Sequence, residues 1–243
     1  MKKIVLGIFI ALVALVAVGY FVWNEPLPEG KAGAEADTLA SNMLKAINHK
    51  AWEATGAVQW SFPGGHEHLW DKERHMARVR WDDYEVLLQL DSIKGIAYEE
   101  GKRITDEEES QELVQKAWEY WANDSFWLNA PNKVFDPGTE RKIVEQENGS
   151  PALLITYTSG GVTPGDSYLW LLDENQRPKA WKLWVNIIPV GGVEFSWEGW
   201  QSLESGAQIA TLHQGLLDIE IENVKSGAHV EELTGEDSFA QLY

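Results

Sequence analysis

The segment VQWSFPGGHEHLWDKERHMARVRWDDYEVLLQLDSIKGIAYEEGK, residues 58–102, alternates apolar and polar side chains in short runs separated by turn residues. Val58, Trp60 and Phe62 alternate with Gln59 and Ser61 as far as Pro63-Gly64-Gly65. Ala77, Val79 and Trp81 alternate with Met76, Arg78 and Arg80, and Asp82-Asp83 makes a turn. Val86, Leu88 and Leu90 then alternate with Glu85, Gln89 and Asp91, and Ile96–Tyr98 ends at Glu99-Glu100-Gly101-Lys102. A period of two puts every second side chain on one face of a strand, and links this short join neighbours antiparallel. The segment therefore predicts an antiparallel meander with one buried face.

Helices flank the meander. Upstream, Ala36, Leu39, Ala40, Met43, Leu44 and Ile47 share one helical face, and the period breaks at Asn48-His49-Lys50. Downstream, Thr105 with Glu108 reads as a capping box, and Asp106 to Glu109 suit the positive end of a helix dipole. Leu113, Val114, Ala117, Trp118 and Trp121 form the apolar stripe, whereas Asn123 to Pro131 reads as irregular and very apolar.

Strands resume further on. Arg141–Gln146 and Ala152–Tyr157 flank an Asn148-Gly149 hairpin turn, and Tyr168–Leu172 and Trp181–Ile187 form another pair. Val193, Phe195 and Trp197 alternate with polar residues, Gln208–Leu212 is shorter, and Leu217, Ile219 and Ile221 alternate with acids. The expected fold is α+β: a curled antiparallel sheet, a half-barrel of about 10–11 strands, with two main helices over residues 35–224. Residues 225–243 lack pattern and are expected to be a flexible tail.

The amino terminus sets the compartment. Lys2 and Lys3 precede Ile4–Trp23, twenty residues without a charge. At ~1.5 Å per residue such a helix crosses a hydrocarbon core of ~30 Å. The run exceeds a usual signal-peptide core and ends in Tyr20, Phe21 and Trp23, where an interfacial belt belongs. Residues 1–23 are thus expected to be an inner-membrane anchor with the domain in the periplasm. Signal-peptide cleavage, giving a free periplasmic protein, is the alternative. Residues 24–34, rich in Pro, Gly and Glu, read as a tether.

Composition narrows the function. With 20 basic and 38 acidic residues the net charge is −18, which repels phosphate backbones and argues against nucleic-acid binding. The absence of cysteine excludes disulfides, zinc thiolates, thiol catalysis and a lipid-modified cysteine. No nucleophile elbow, phosphate loop or paired-histidine zinc helix occurs, so no catalytic residue, cofactor or metal is expected. His66-Glu67-His68 puts two imidazoles on one strand face, which is ligand geometry, but spacing supplies no third ligand and the segment reads as an exposed strand start. The loop Gly160 to Asp166 precedes a strand rather than a helix, so it reads as a wide hairpin end instead of a phosphate cradle.

The strongest signal is thirteen tryptophans. Trp118, Trp121 and Trp127 lie on or just after the second helix; Trp60, Trp81, Trp170, Trp181, Trp184, Trp197 and Trp200 lie on strands or at their ends. Tyr168, Trp170 and Leu172 share one face while Leu169 and Leu171 make the other apolar, so both faces should be covered.

This layout of exported segment, helix, strands, inserted helix and further strands resembles the LolA/LolB-like periplasmic lipoprotein-carrier superfamily. The likeness is closest over Trp60 to Lys102, through Leu69-Trp70-Asp71, Arg74, Arg78-Val79-Arg80, Asp91 and the Glu100-Gly101-Lys102 turn. The resemblance implies a helix-lidded half-barrel that takes acyl chains in an apolar cavity. Trp60, Trp81, Trp118, Trp121, Trp170 and Trp197 would then be cavity or lid residues, and Arg78 or Arg80 the basic gating residue. The partner so implied is a hydrophobic small molecule or lipid, alongside the membrane through residues 4–23, and the domain reads as a binding module more than as an enzyme, with catalytic activity left open. A carbohydrate-binding or glycan-acting envelope protein, using tryptophan stacking and carboxylates, is the alternative.

Overall fold

The computed structural model describes residues 23–160 and 162–243. It opens with β1 (Lys31–Ala32), α1 (Ala34–Ala46) and α2 (His49–Ala54). A meander follows through β2 (Ala57–Phe62), β3 (His66–Asp71), β4 (Met76–Trp81), β5 (Tyr84–Gln89), β6 (Lys94–Glu99) and β7 (Lys102–Arg103). Helix α3 (Glu107–Asn129) and a 3-10 turn (Ala130–Lys133) lead to β8 (Thr139–Glu145), β9 (Pro151–Tyr157), β10 (Ser167–Leu172), β11 (Pro178–Trp184) and β12 (Val193–Ser196). Two short hairpins come next, β13 (Gln201–Ser202) with β14 (Gln208–Ile209) and β15 (Leu212–His213) with β16 (Ile219–Glu220). The chain closes with β17 (Glu222–Gly227), α4 (Val230–Thr234) and a 3-10 turn (Ala240–Leu242).

The α+β class holds, but the strands form two large antiparallel sheets instead of a single curled one. The first sheet has seven strands in the order β17-β2-β3-β4-β5-β6-β7, and the second has six in the order β1-β8-β9-β10-β11-β12. No closed barrel forms among the described residues. The meander stops after β12 because the chain turns into the short hairpins at Gly199 and Gly206, both with positive φ. It then returns across the molecule to pair β17 with the edge of β2.

Alternation decides what each face of the first sheet buries. The inner row Trp60, His68, Val79, Val86 and Ala97 runs across β2 to β6 in register. Val79, Val86 and Ala97 pack on Val114 and Ala117 of α3. The N-cap falls one residue later than the expected capping box: Asp106 is the N-cap, and its carboxylate accepts the Glu109 amide at 3.0 Å. The helix also runs on through the stretch read as irregular, since no breaker occurs before Pro131. Its end is apolar on several sides because it is enclosed: Leu128 faces Trp60 and Val58, while Phe126 and Trp127 enter the second sheet's core.

The outer face of the first sheet is apolar too, with Leu69, Met76 and Leu87. Residues 225–243 cover it instead of fraying. Val230 and Phe239 are fully buried against these three side chains. The Arg74 guanidinium, braced by Asp71, donates twice to Asp237 at 2.9 Å, which pins the segment. Residues 24–34 are likewise docked and not a free tether. The Glu25 amide donates to the Gly191 carbonyl at 3.0 Å, the Trp184 indole donates to the Glu25 carbonyl at 2.8 Å, and β1 pairs with β8. A side chain at Gly192 would meet Glu25 within 2.6 Å, so this close approach requires glycine. The anchor proposed for residues 1–23 falls almost wholly on residues outside those described. Among the described residues no helix is long and apolar enough to cross a membrane.

Candidate functional site

The six tryptophans singled out from sequence fall into three clusters. Trp170 and Trp197 join Trp181 inside the second sheet under α1, with ring centroids 4.8–5.0 Å apart. Trp81 lies under α3 with Trp118 and Trp121 against it. Trp60 packs with Trp52, Leu128, Leu203 and Ile209, and Trp121 reaches this cluster as well. Trp60, Trp81, Trp170 and Trp197 are buried; Trp118 and Trp121 are half-buried. Sugar stacking needs exposed indole faces, so nothing here favours the carbohydrate alternative.

Seven indole N–H groups, those of Trp60, Trp70, Trp81, Trp121, Trp170, Trp181 and Trp197, have no hydrogen-bond acceptor among the described residues. In the second sheet the rings meet edge to face, which offers those donors aromatic faces as weak partners.

A cleft of about 830 Å³ opens between α2, the end of β3 and the 3-10 turn after α3. Its walls include Trp52, Trp70, Lys72, Asn129, Asn132 and Phe135, and none of the six tryptophans lines it. Lys72 is its electrostatic centre. The Lys72 ammonium donates to the Trp52 carbonyl and sits 4.2 Å from the Trp52 ring centroid, in cation–π geometry. Burial pulls its pKa down to about 8, against a smaller opposing pull from Glu53. Asn129 adds a buried side-chain oxygen with no partner among the described residues. Behind Lys72, Trp52 and Trp70 stand 6.0 Å apart, and Trp70 meets Trp121 at 5.3 Å. The cleft thus joins a desolvated cation to an aromatic wall that continues under α3.

A second constellation lies on the inner face of the first sheet. His68 is buried and not at an exposed strand start, because it alternates inward beside Trp60, with ring centroids 4.6 Å apart. Asp124 of α3 supplies the third group that spacing could not. Its Oδ2 lies 2.7 Å from His66 Nδ1 and 2.7 Å from His68 Nε2. Burial works to raise the Asp124 carboxyl, but hydrogen bonds from His66 and His68 outweigh it and hold the group below its ordinary range. Burial lowers the His68 imidazole despite the same carboxylate. These three residues can hold a metal ion; the remaining His, Asp and Glu side chains form no comparable group among the described residues.

Arg78 and Arg80 do not face this interior. They alternate outward on β4, where both approach Glu85 and Arg78 donates to Ser238 at 3.2 Å. A basic group beside an aromatic cavity is found at Lys72 instead, with no sequence signal beyond its place in Trp70-Asp71-Lys72.

No family model matches the chain, and no curated protein matches it. Among solved structures it is similar to a DUF1329 family protein from Desulfovibrio piger, at 10% identity and a TM-score of 0.40, over 84% of this chain and 98% of that one. It is also similar to a putative outer membrane lipoprotein-sorting protein domain from Vibrio parahaemolyticus, at 9% identity and a TM-score of 0.35, again over 84% and 98%. Likenesses this low carry no argument about function.

Proposed function

We propose that the chain is an exported, membrane-tethered envelope domain that binds an acyl or similar lipid-type ligand with an anionic head, without transforming it. The head group sits at Lys72, and the apolar body lies along Trp52 and Trp70 toward Trp121 and Trp60. The apolar run at residues 4–23 keeps the domain at the inner membrane, facing the periplasm. Trp81, Trp118, Trp170 and Trp197 complete the aromatic interior on either side of α3.

One observation carries this reading: a half-buried ammonium, in ion-pair contact with no carboxylate among the described residues although Glu53 lies near, in the aromatic wall of a cleft of about 830 Å³. Burying a cation without an anion is costly, and a ligand that brings both a negative charge and apolar surface relieves that cost. The test uses the full chain, extracted from membranes into amphipol, with its bound lipids quantified by mass spectrometry. An acyl lipid at near-stoichiometric amount, largely lost in Lys72→Met, is the expected result. Equal lipid in the variant, or none in the wild type, overturns the proposal.

A further inference from the structure

We propose that His66, His68 and Asp124 form a binding site for a divalent transition-metal cation of the zinc class, independent of the lipid-binding reading. Three donor atoms converge there. Asp124 Oδ2 is 2.7 Å from both imidazole nitrogens, and the three atoms lie within 4.8 Å of one another. Zinc bonds to imidazole and carboxylate at about 2.0–2.2 Å, so tetrahedral ligand atoms stand roughly 3.3 Å apart. Each contact needs to open by roughly 0.6 Å to admit the ion, a shift within side-chain reach.

The rings are already oriented for it. His66 and His68 are two apart on β3 and so share a face. His68 is stacked on Trp60, and His66 on Tyr120 at 3.9 Å between centroids. Asp124 has its second oxygen occupied by the Asn123 amide at 2.9 Å, which leaves Oδ2 turned to the histidines. Such outer contacts fix a ligand's direction before the ion arrives.

Burial favours a ligand role over a purely structural network. A buried carboxylate and two imidazoles in an aromatic interior are seldom the most stable filling of that space. The Nδ1 of His68 is buried without a partner among the described residues. If His68 donates through Nε2, Nδ1 is left as a bare lone pair; if Nε2 binds a metal, Nδ1 carries the proton. Nδ1 is unpaired in both forms, so the metal-bound form carries no added penalty. The His66 side chain keeps 15% of its surface exposed, which provides an entry path and room for a water as fourth ligand. Two imidazoles with one carboxylate suit zinc, cobalt or iron better than calcium or magnesium, whose sites are all oxygen. A bound ion would join β3 to α3 across the inner face.

The test is cobalt and zinc titration of the full chain in amphipol after chelator stripping. Visible d–d absorption should appear with cobalt, saturate at one equivalent and be bleached by zinc, and zinc should raise Tm. His66→Gln changes the most exposed ligand and should retain the fold while losing at least about tenfold in affinity. Asp124→Asn should lose as much. No cobalt absorption in the wild type, or unchanged affinity in His66→Gln, overturns the site, and the His66→Gln result holds even if Asp124→Asn fails to fold.

Discussion

The first sheet and the β15-β16 hairpin beside the second treat a buried histidine in opposite ways. In the first, His68 shares a carboxylate with His66, and α3 delivers that carboxylate to the sheet. In the hairpin, His213 of β15 lies among Trp127 and Trp197 with its Nδ1 3.1 Å from the Ser196 carbonyl, so backbone rather than carboxylate oxygen is its partner. Burial drives the His213 pKa down to about 4, only partly countered by backbone hydrogen bonds. The same residue type is thus a polar constellation in one half and a neutral packing element in the other. Polar side chains that converge on one point mark where a ligand can be held; aromatic rings that converge on one another mark the core that holds the fold.

The largest expected effect probes the core half. Trp181 is fully buried among Trp170, Trp197, Trp127 and Tyr168. Trp181→Ala should cost about 3–5 kcal/mol of stability in denaturant unfolding, through lost burial and the cavity left behind. Trp121→Ala, at a half-buried position on α3, should cost less and chiefly weaken acyl binding. An equal stability loss for both would erase the distinction between the halves.

A pH series sharpens it. The folded-state pKa of His213 lies below its unfolded value of 6.5, so the unfolded chain binds the extra proton between pH 6.5 and about 4. The His213 contribution is fully present above pH 6.5 and is lost as pH falls toward 4, by at most roughly 3 kcal/mol. His213→Phe should flatten that limb in urea titrations at pH 7 and 4.5. An unchanged slope would mean that other groups govern acid unfolding.

The smallest effect concerns how α3 is held at its start. Asp106→Ala removes the N-cap acceptor and should cost about 1 kcal/mol. Thr105→Ala should cost less, although sequence pattern favours Thr105 as the cap. A larger loss at Thr105 would restore the capping box as first read.

Much of the first sheet is legible in its alternation, because local period fixes which side chains face inward: Val58, Trp60, Val79 and Val86 do so as expected. The Asn148-Gly149 hairpin and both long helices follow from equally local signals. What escapes the sequence is non-local. The division into two sheets goes with β1, from the start of the chain, taking the edge of β8, while β17 extends β2 from the far end. The docked carboxyl terminus depends on Phe239 and Asp237, isolated residues whose partners lie on β3 to β5 and at Arg74. Asp124 stands 58 residues from His66, so no spacing rule links them. Lys72 is one lysine among many until burial and the Trp52 ring distinguish it.

Photo-crosslinking of a diazirine fatty acid to the full chain in native membranes tests the central claim most directly, because it reports which half meets the acyl chain. The account predicts label on peptides spanning residues 49–72 and 121–135, with much less in Lys72→Met. Label confined to residues 167–197, or undiminished in that variant, would contradict it.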